Sequence, residues 1–247
     1  NIDVALDYAC NISCVHCSCS KLRRPTAPLL TIDEYKMLAD EMYALGTIYV
    51  SFTGGEPMLP KANLEGVLSA FPTESMLVGL QTNAMLLDDE RAKMLRAKGV
   101  DVLQISVDGF DPKLHDKFRR SEGAHAKVFA NIDLAKRHGF RIILCTSVTA
   151  ESVHGKDIEL LLQYAEDNAM PCVVSIPCPS GNWRGEDNML LGDAERRRLD
   201  ELLARFPSFR RDFHSNYSKL GCSAGSEKLY ITPTGEVIPC PFIHVSF

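Results

Sequence analysis

No run in this chain reaches the roughly 18 to 20 consecutive apolar residues that a membrane span needs, and its opening residues lack the basic-then-apolar order of a secretory leader. Positive charge is not in excess either. The 27 Lys and Arg stand against 32 Asp and Glu, a formal net charge of -5, which leaves no broad electrostatic footprint for duplex nucleic acid or an anionic bilayer. Repeats at solenoid period and low-complexity tracts are also missing. These absences set the expectation of a soluble, cytoplasmic protein with neither nucleic acid nor membrane among its partners. What is there is an ordinary globular composition, 45% hydrophobic and 24% charged over 247 residues, long enough for one α/β barrel. Asn1 falls inside a strand-like run and Phe247 inside a cysteine motif, so both ends read as trimmed.

Short β-branched apolar runs at residues 2–7, 47–52, 76–81, 102–107, 141–148 and 171–176 alternate with helix-period stretches at 87–98, 124–138, 156–168 and 193–205. A further helix start is signalled by Thr31, with Glu34 at capping-box spacing. Six strands separated by helices of this length predict right-handed βαβ units, and therefore an α/β fold with a parallel sheet, doubly wound or closed into a partial (β/α)6 barrel. Ligands on such sheets gather at the carboxyl ends of the strands. Beyond Phe206 the helix period stops. Residues 228–232 and 236–240 alternate around Pro233-Thr234-Gly235, which predicts a small C-terminal β-hairpin. The chain thus divides into 1–206, the barrel, and 207–247, the start of an extension.

Nine cysteines is a high and odd count, which argues for metal or redox chemistry over a paired disulfide framework. Cys10, Cys14 and Cys17 come directly after the first strand. Three thiolates at spacings of four and three can converge on one inorganic cluster and leave one iron open for catalysis. The same spacing also allows a zinc loop completed by His16 or Cys19, or a set of buried thiols.

The loop resembles the CxxxCxxC signature of the radical S-adenosylmethionine (radical SAM) superfamily, and the resemblance continues at later strand ends. Thr53-Gly54-Gly55-Glu56-Pro57 is similar to the superfamily's GGEP motif, Thr82-Asn83 to its TNG, with Ala84 where the Gly stands, and Ser106, Asp108, Gly109, His115, Asp116 and Arg119 to the SxDG…HD…R region of its peptide-modifying branch. The resemblance runs from Ile2 to Cys240. It implies a [4Fe–4S] cluster on Cys10, Cys14 and Cys17 that cleaves S-adenosylmethionine to a 5′-deoxyadenosyl radical, which abstracts a hydrogen atom from substrate. It also implies cofactor contacts from His16 on the adenine, from Gly54, Gly55, Glu56 and Pro57 on the amino group, from Thr82, Asn83, Ser106 and Asp108, and from Arg119 on the carboxylate, with Asp108 also the one candidate acid or base. An electron donor such as flavodoxin or ferredoxin would serve the cluster.

Cys222 and Cys240 flank the hairpin and resemble the opening of a SPASM or "twitch" extension, which implies an auxiliary [4Fe–4S] cluster; His244 reads as a hairpin residue. Cys145 and Cys172 read as core thiols and Cys19 as a neighbour of the cluster loop, while Cys178, at the end of the sixth strand, faces the expected barrel mouth. Arg196, Arg197, Arg198, Arg205, Arg210 and Arg211 form a basic stretch, either solvated or steering an acidic peptide. The expected substrate is a peptide that is oxidised or crosslinked; the alternatives are a small metabolite such as an aminoglycoside-like alcohol or a tetrapyrrole and, from another class, a structural zinc-binding interaction module.

Overall fold

The computed structural model describes residues 1–22, 27–211, 224–225 and 228–243, leaving aside the side chains of Arg210 and Arg211. Among these residues nine strands form one sheet: β1 (Ile2–Ala5), β2 (Tyr49–Thr53), β3 (Leu77–Thr82), β4 (Val100–Ser106), β5 (Arg141–Ser147), β6 (Cys172–Ser175), β7 (Phe209–Arg211), β8 (Leu229–Ile231) and β9 (Val237–Ile238). Their order is β7-β6-β5-β4-β3-β2-β1-β8-β9, parallel throughout except for the β8–β9 hairpin. Because β7 and β9 have no pairing with each other among the described residues, the expected barrel is an open one. Residues on either side of 206 share this sheet, since β7 adds to β6 and β8 pairs in parallel with β1.

Among the described residues seven α-helices connect the strands: α1 (Ile32–Ala44), α2 (Leu64–Leu68), α3 (Asp89–Ala97), α4 (Pro112–Arg119), α5 (Ala124–Arg137), α6 (Lys156–Asp167) and α7 (Asp193–Arg205). Their starts reflect the local chemistry. Thr31 accepts from the Glu34 amide at 3.3 Å while the Glu34 carboxylate accepts from the Thr31 amide at 2.7 Å, the reciprocal box expected of that spacing. Asp111 accepts from the Lys113 and Leu114 amides at 2.8 and 3.1 Å, and Pro112 occupies the first turn of α4, where its missing N–H costs nothing. Within the basic stretch, Arg198 and Arg205 both grip Glu159 of α6, the latter at 2.5 Å, and tie α7 to its neighbour.

Strand alternation separates two environments. Val4, Phe52, Leu80, Leu103, Ile105 and Leu144 are fully buried, in one core with Leu95 of α3, Ile132 of α5 and Leu161 of α6. The opposite face carries Asp3, Ser51, Gln81, Gln104 and Ser106. The covered face holds the fold together, and the polar face is left for a site.

At the end of β3, Ala84 is fully buried with φ 56°, a left-handed conformation. Its amide donates to Thr82 Oγ1 at 2.9 Å and its carbonyl accepts from Asn131 Nδ2 at 2.7 Å. The left-handed geometry costs an alanine about 1–2 kcal/mol. A glycine here would forfeit about 0.8 kcal/mol of methyl burial and about 0.5–1 kcal/mol of chain entropy, so the two residues come out nearly equal. Ala84→Gly is therefore expected to change stability by less than about 1 kcal/mol in urea unfolding, whereas the β-branched Ala84→Val loses about 2–3 kcal/mol to backbone strain and overpacking.

Candidate functional site

The carboxyl ends of β1 to β6 and the β8–β9 hairpin surround one cavity of about 300 Å³ on the polar face of the sheet. Cys10, Cys14 and Cys17 all face it from the loop after β1. Each sulfur has a polar group beside it. Asn83 Nδ2 lies 3.8 Å from Cys10 Sγ, Arg119 Nη1 lies 3.6 Å from Cys14 Sγ, and the Cys19 thiol lies 3.7 Å from Cys17 Sγ and 3.6 Å from the Gly54 carbonyl. Burial pushes the Cys14 thiol above its ordinary pKa, opposed by the Arg119 guanidinium. Thiols with neighbouring donors suit an iron–sulfur cluster, whose potential depends on hydrogen bonds to its sulfurs. Among the described residues no three His, Cys, Asp or Glu side chains gather around a single ion position.

His16 lies against Phe118, ring centroids 4.7 Å apart and planes 17° from parallel, with Trp183 at 5.8 Å. Burial lowers its pKa to about 4, which keeps the ring neutral.

Arg119 and Asp108 form a buried ion pair at 2.5 Å. Asp108 Oδ1 also accepts from the Ser147 amide at 2.8 Å, and the Asp108 amide donates to His115 Nδ1 at 3.2 Å. The carboxylate that Arg119 meets in this structure is thus Asp108. Asp108 does not face the cavity, and it braces β4 against β5. Asp116 accepts from the Gly123 and His125 amides at 2.6 and 2.7 Å and so organises the start of α5.

The two glycines after β2 are needed for an approach of chain to chain. A Cβ on Gly54 would fall 2.2 Å from the Asp7 carbonyl, and one on Gly55 would fall 1.9 Å from the Ala9 carbonyl. Gly55 N donates to Asp7 O at 2.7 Å and Glu56 N to Ala9 O at 2.8 Å, so this turn holds the segment that launches the cysteine loop. Gly54 and Gly55 border the cavity, and Glu56 and Pro57 lie behind it. The Glu56 carboxylate accepts from Thr82 Oγ1 at 2.8 Å, the Asn83 amide at 2.9 Å and the Met58 amide at 3.1 Å, which locks β2 to β3. Its burial raises its pKa, opposed by these bonds. Asn83 also donates to Asn11 Oδ1 at 2.8 Å. Ser106 faces the cavity.

Sequence reasoning missed the lattice along the inner strands. Gln104 Nε2 donates to Tyr49 Oη at 2.6 Å and Ser51 Oγ at 3.3 Å; Gln81 Nε2 donates to Ser51 Oγ at 3.2 Å and Asp3 Oδ1 at 3.4 Å. The signal is the set of polar residues Asp3, Ser51, Gln81, Gln104 and Ser106 on one alternating face of strands that read as uniformly buried. Cys145 belongs to this inner face: its thiol borders the cavity 3.9 Å from Gln104 Oε1, which corrects its placement in the core. Cys172 is a core thiol, fully buried, its pKa pushed to about 12 by burial. Cys178 and Cys240 border the same cavity. Cys222 and His244 lie outside the described residues.

A largely parallel α/β sheet with three thiols facing a cavity at its carboxyl edge defines a class in outline, an α/β fold with a thiol-lined site. The particular family comes from sequence comparison: the chain belongs to the radical SAM superfamily, whose profile matches residues 7–164. It is therefore an enzyme of a family that works with a [4Fe–4S] cluster and S-adenosylmethionine. It is 26% identical over 269 residues to an AdoMet-dependent heme synthase of Methanosarcina barkeri, covering 97% of this chain and 76% of that one. It is 27% identical over 263 residues to the antilisterial bacteriocin subtilosin biosynthesis protein AlbA of Bacillus subtilis, covering 98% and 55%. The fold matches Streptococcus suis SuiB bound to its precursor peptide SuiA with a TM-score of 0.79 at 16% identity, covering 99% of this chain. The chain spans 61% of the length of that SuiB chain. No helix among the described residues is long and apolar enough to cross a membrane.

His115 is fully buried and its pKa is lowered to about 4, first by burial and then by the Arg119 charge. The unfolded chain binds this proton near pH 6.5 and the folded chain only near 4, so stability is complete above pH 6.5 and falls as pH drops through that window. The loss amounts to about 3 kcal/mol. His115→Asn keeps an acceptor for the Asp108 amide without a titrating ring. Urea unfolding of the metal-free protein between pH 7 and 4 is expected to show a shallower pH slope for this variant than for wild type.

Proposed function

We propose that Cys10, Cys14 and Cys17 ligate the family's [4Fe–4S] cluster and that the substrate is a peptide, oxidised or crosslinked at a side chain. The observation that carries the first part is the polar group beside each of the three sulfurs around one cavity. S-adenosylmethionine would be held by Gly54, Gly55, Thr82, Asn83, Ser106 and Arg119, with Glu56, Pro57 and Asp108 supporting them from behind and His16 beside the adenine. When bound, cluster and cofactor supply the electron and the carbon radical that removes a hydrogen atom from substrate. The residues of this chain bind and orient. Arg119 keeps a cation beside Cys14, the neutral rings of His16, Phe118 and Trp183 form an apolar wall, and the Gln81–Gln104 lattice offers amide groups to whatever enters.

Charge supports the peptide over a polyanionic metabolite. The cations bordering the cavity among the described residues are Arg119 and Lys228. Arg119 faces Asp108, and Lys228 faces Asp3 at 3.1 Å. A cavity so balanced, floored by amides and hydroxyls, complements a neutral backbone better than clustered phosphates or carboxylates. The names of AlbA and of the SuiB–SuiA complex point the same way, and that of the heme synthase keeps a tetrapyrrole as the alternative. We further propose that 207–247 begins an extension in which Cys240, with Cys222, ligates an auxiliary cluster, and that a flavodoxin or ferredoxin delivers the electron.

Anaerobic reconstitution of the full-length gene product is expected to give a brown protein with about eight irons per chain, or about four if the extension carries no cluster. With dithionite it converts S-adenosylmethionine to 5′-deoxyadenosine, and Cys14→Ala abolishes this. Colourless protein holding one tight zinc would exclude the cluster. A rate unchanged by peptides encoded beside the gene, yet raised by a porphyrin, would move the substrate to the tetrapyrrole class.

A further inference from the structure

The turn after β6 makes a contact that no motif announces. Gly181, Asn182 and Trp183 form a single 3-10 turn that packs on the cysteine loop across 168 residues of sequence. Asn182 touches that loop twice. Its side-chain Nδ2 donates to the Cys14 carbonyl at 2.9 Å, and its backbone amide donates to the Cys17 carbonyl at 3.0 Å. The Cys14 carbonyl also accepts from the Cys17 amide at 3.3 Å, which closes the Cys14–Cys17 turn on itself. One residue therefore holds both ends of the turn that separates two of the three thiols. Gly181 makes this approach possible: at φ 56°, a Cβ there would lie 2.1 Å from the Cys17 carbonyl and 2.4 Å from that of Ser18. On the other side, Val15 N donates to the Phe118 carbonyl at 2.9 Å, so the loop is held between α4 and the β6 turn.

We infer that Asn182 is a positioning residue for the cluster, fixing the direction in which Cys14 and Cys17 present their sulfurs; this rests on the assignment of those cysteines as cluster ligands. A carbonyl held by hydrogen bonds restrains its planar peptide unit, and with it the direction in which the Cα–Cβ bond of that residue leaves the chain. Partners that orient metal ligands from behind affect metal affinity or activity by roughly 10–100-fold when removed, and small misplacement of a reacting group has effects of comparable size. Asn182 touches no reacting atom and acts through the two cysteines.

The test uses Asn182→Leu, close in size and without the donor, in the full chain. In the metal-free protein, iodoacetamide alkylation with mass-spectrometric readout is expected to show Cys14 and Cys17 reacting about tenfold faster than in wild type, the effect of losing one net hydrogen bond from a local opening. Cys145, on the β5 wall, keeps its rate. In the reconstituted protein the electron paramagnetic resonance change on adding S-adenosylmethionine is expected to be altered, and 5′-deoxyadenosine formation to fall roughly 10–100-fold. Gly181→Ala, which pushes on the Cys17 and Ser18 carbonyls, should do likewise. Unchanged alkylation, spectrum and rate in both variants would overturn the inference. So would equal acceleration at Cys14, Cys17, Cys145 and Cys172, which marks a general loss of fold. If wild type holds no cluster but Asn182→Leu still frees Cys14 and Cys17 selectively, the clamp stands and the cluster assignment fails.

Discussion

The ion pair between Arg119 and Asp108 is the contact on which the site depends. Two nearly fully buried charges meet at 2.5 Å, and each reaches a second element: Asp108 to the Ser147 amide at the end of β5, and Arg119 to Cys14 in the loop after β1. Burying such charges is expensive, and only pairing with further hydrogen bonds makes it tolerable; loss of one partner typically costs about 3–5 kcal/mol. The return is positional. One pair joins α4, two strand ends and one thiol, so a guanidinium already fixed by its carboxylate is held beside the cysteine loop.

Around that pair the sheet divides its labour by strand alternation. Residues on one face, such as Phe52, Leu80 and Leu144, have hydrophobic burial as their role. Those on the other, Ser51, Gln81 and Gln104, bond one another beneath the cavity. A lattice of this kind leaves few orphaned groups and stiffens the floor beneath a ligand. The sites that carry chemistry then need only short loops, because the strands already deliver them to one edge.

Much of this is legible in the sequence because it is local. Capping boxes, helix periods and the six strand runs depend on neighbours a few residues apart, and the Cys10–Cys17 spacing, Gly54–Gly55 and Thr82–Asn83 lie next to strand ends that the runs locate. What is not legible is pairing across distance. No pattern near Asp108 announces Arg119 as its partner, nothing in residues 176–183 points to Cys14, and β7, three residues long, is too short to show a period. The polar inner positions are visible as letters, but a strand covered on both faces and one covered on a single face differ only by those letters. Cys145 reads as a core thiol for that reason. Roles are also harder than places. Gly54 and Gly55 read as room for a ligand, and the atoms nearest them are carbonyls of the same chain.

The same distinction separates what binds from what holds. Glu56, Asp116 and His115 each sit in a motif associated with function. Glu56 and Asp116 accept from backbone amides and a neighbouring hydroxyl, and His115 Nδ1 accepts from the Asp108 amide while its Nε2 is buried without a hydrogen-bond partner among the described residues. A carboxylate with about four acceptor positions, three of them filled, as on Glu56, is better placed to hold a geometry than to trade a proton. Radical chemistry asks for that arrangement: when the cofactor supplies the reactive species, the surrounding protein has little acid–base work and a strict demand for placement and exclusion of water. A cavity whose bordering cations each face a carboxylate, with Glu56 and Asp116 committed to the backbone around it, meets that demand.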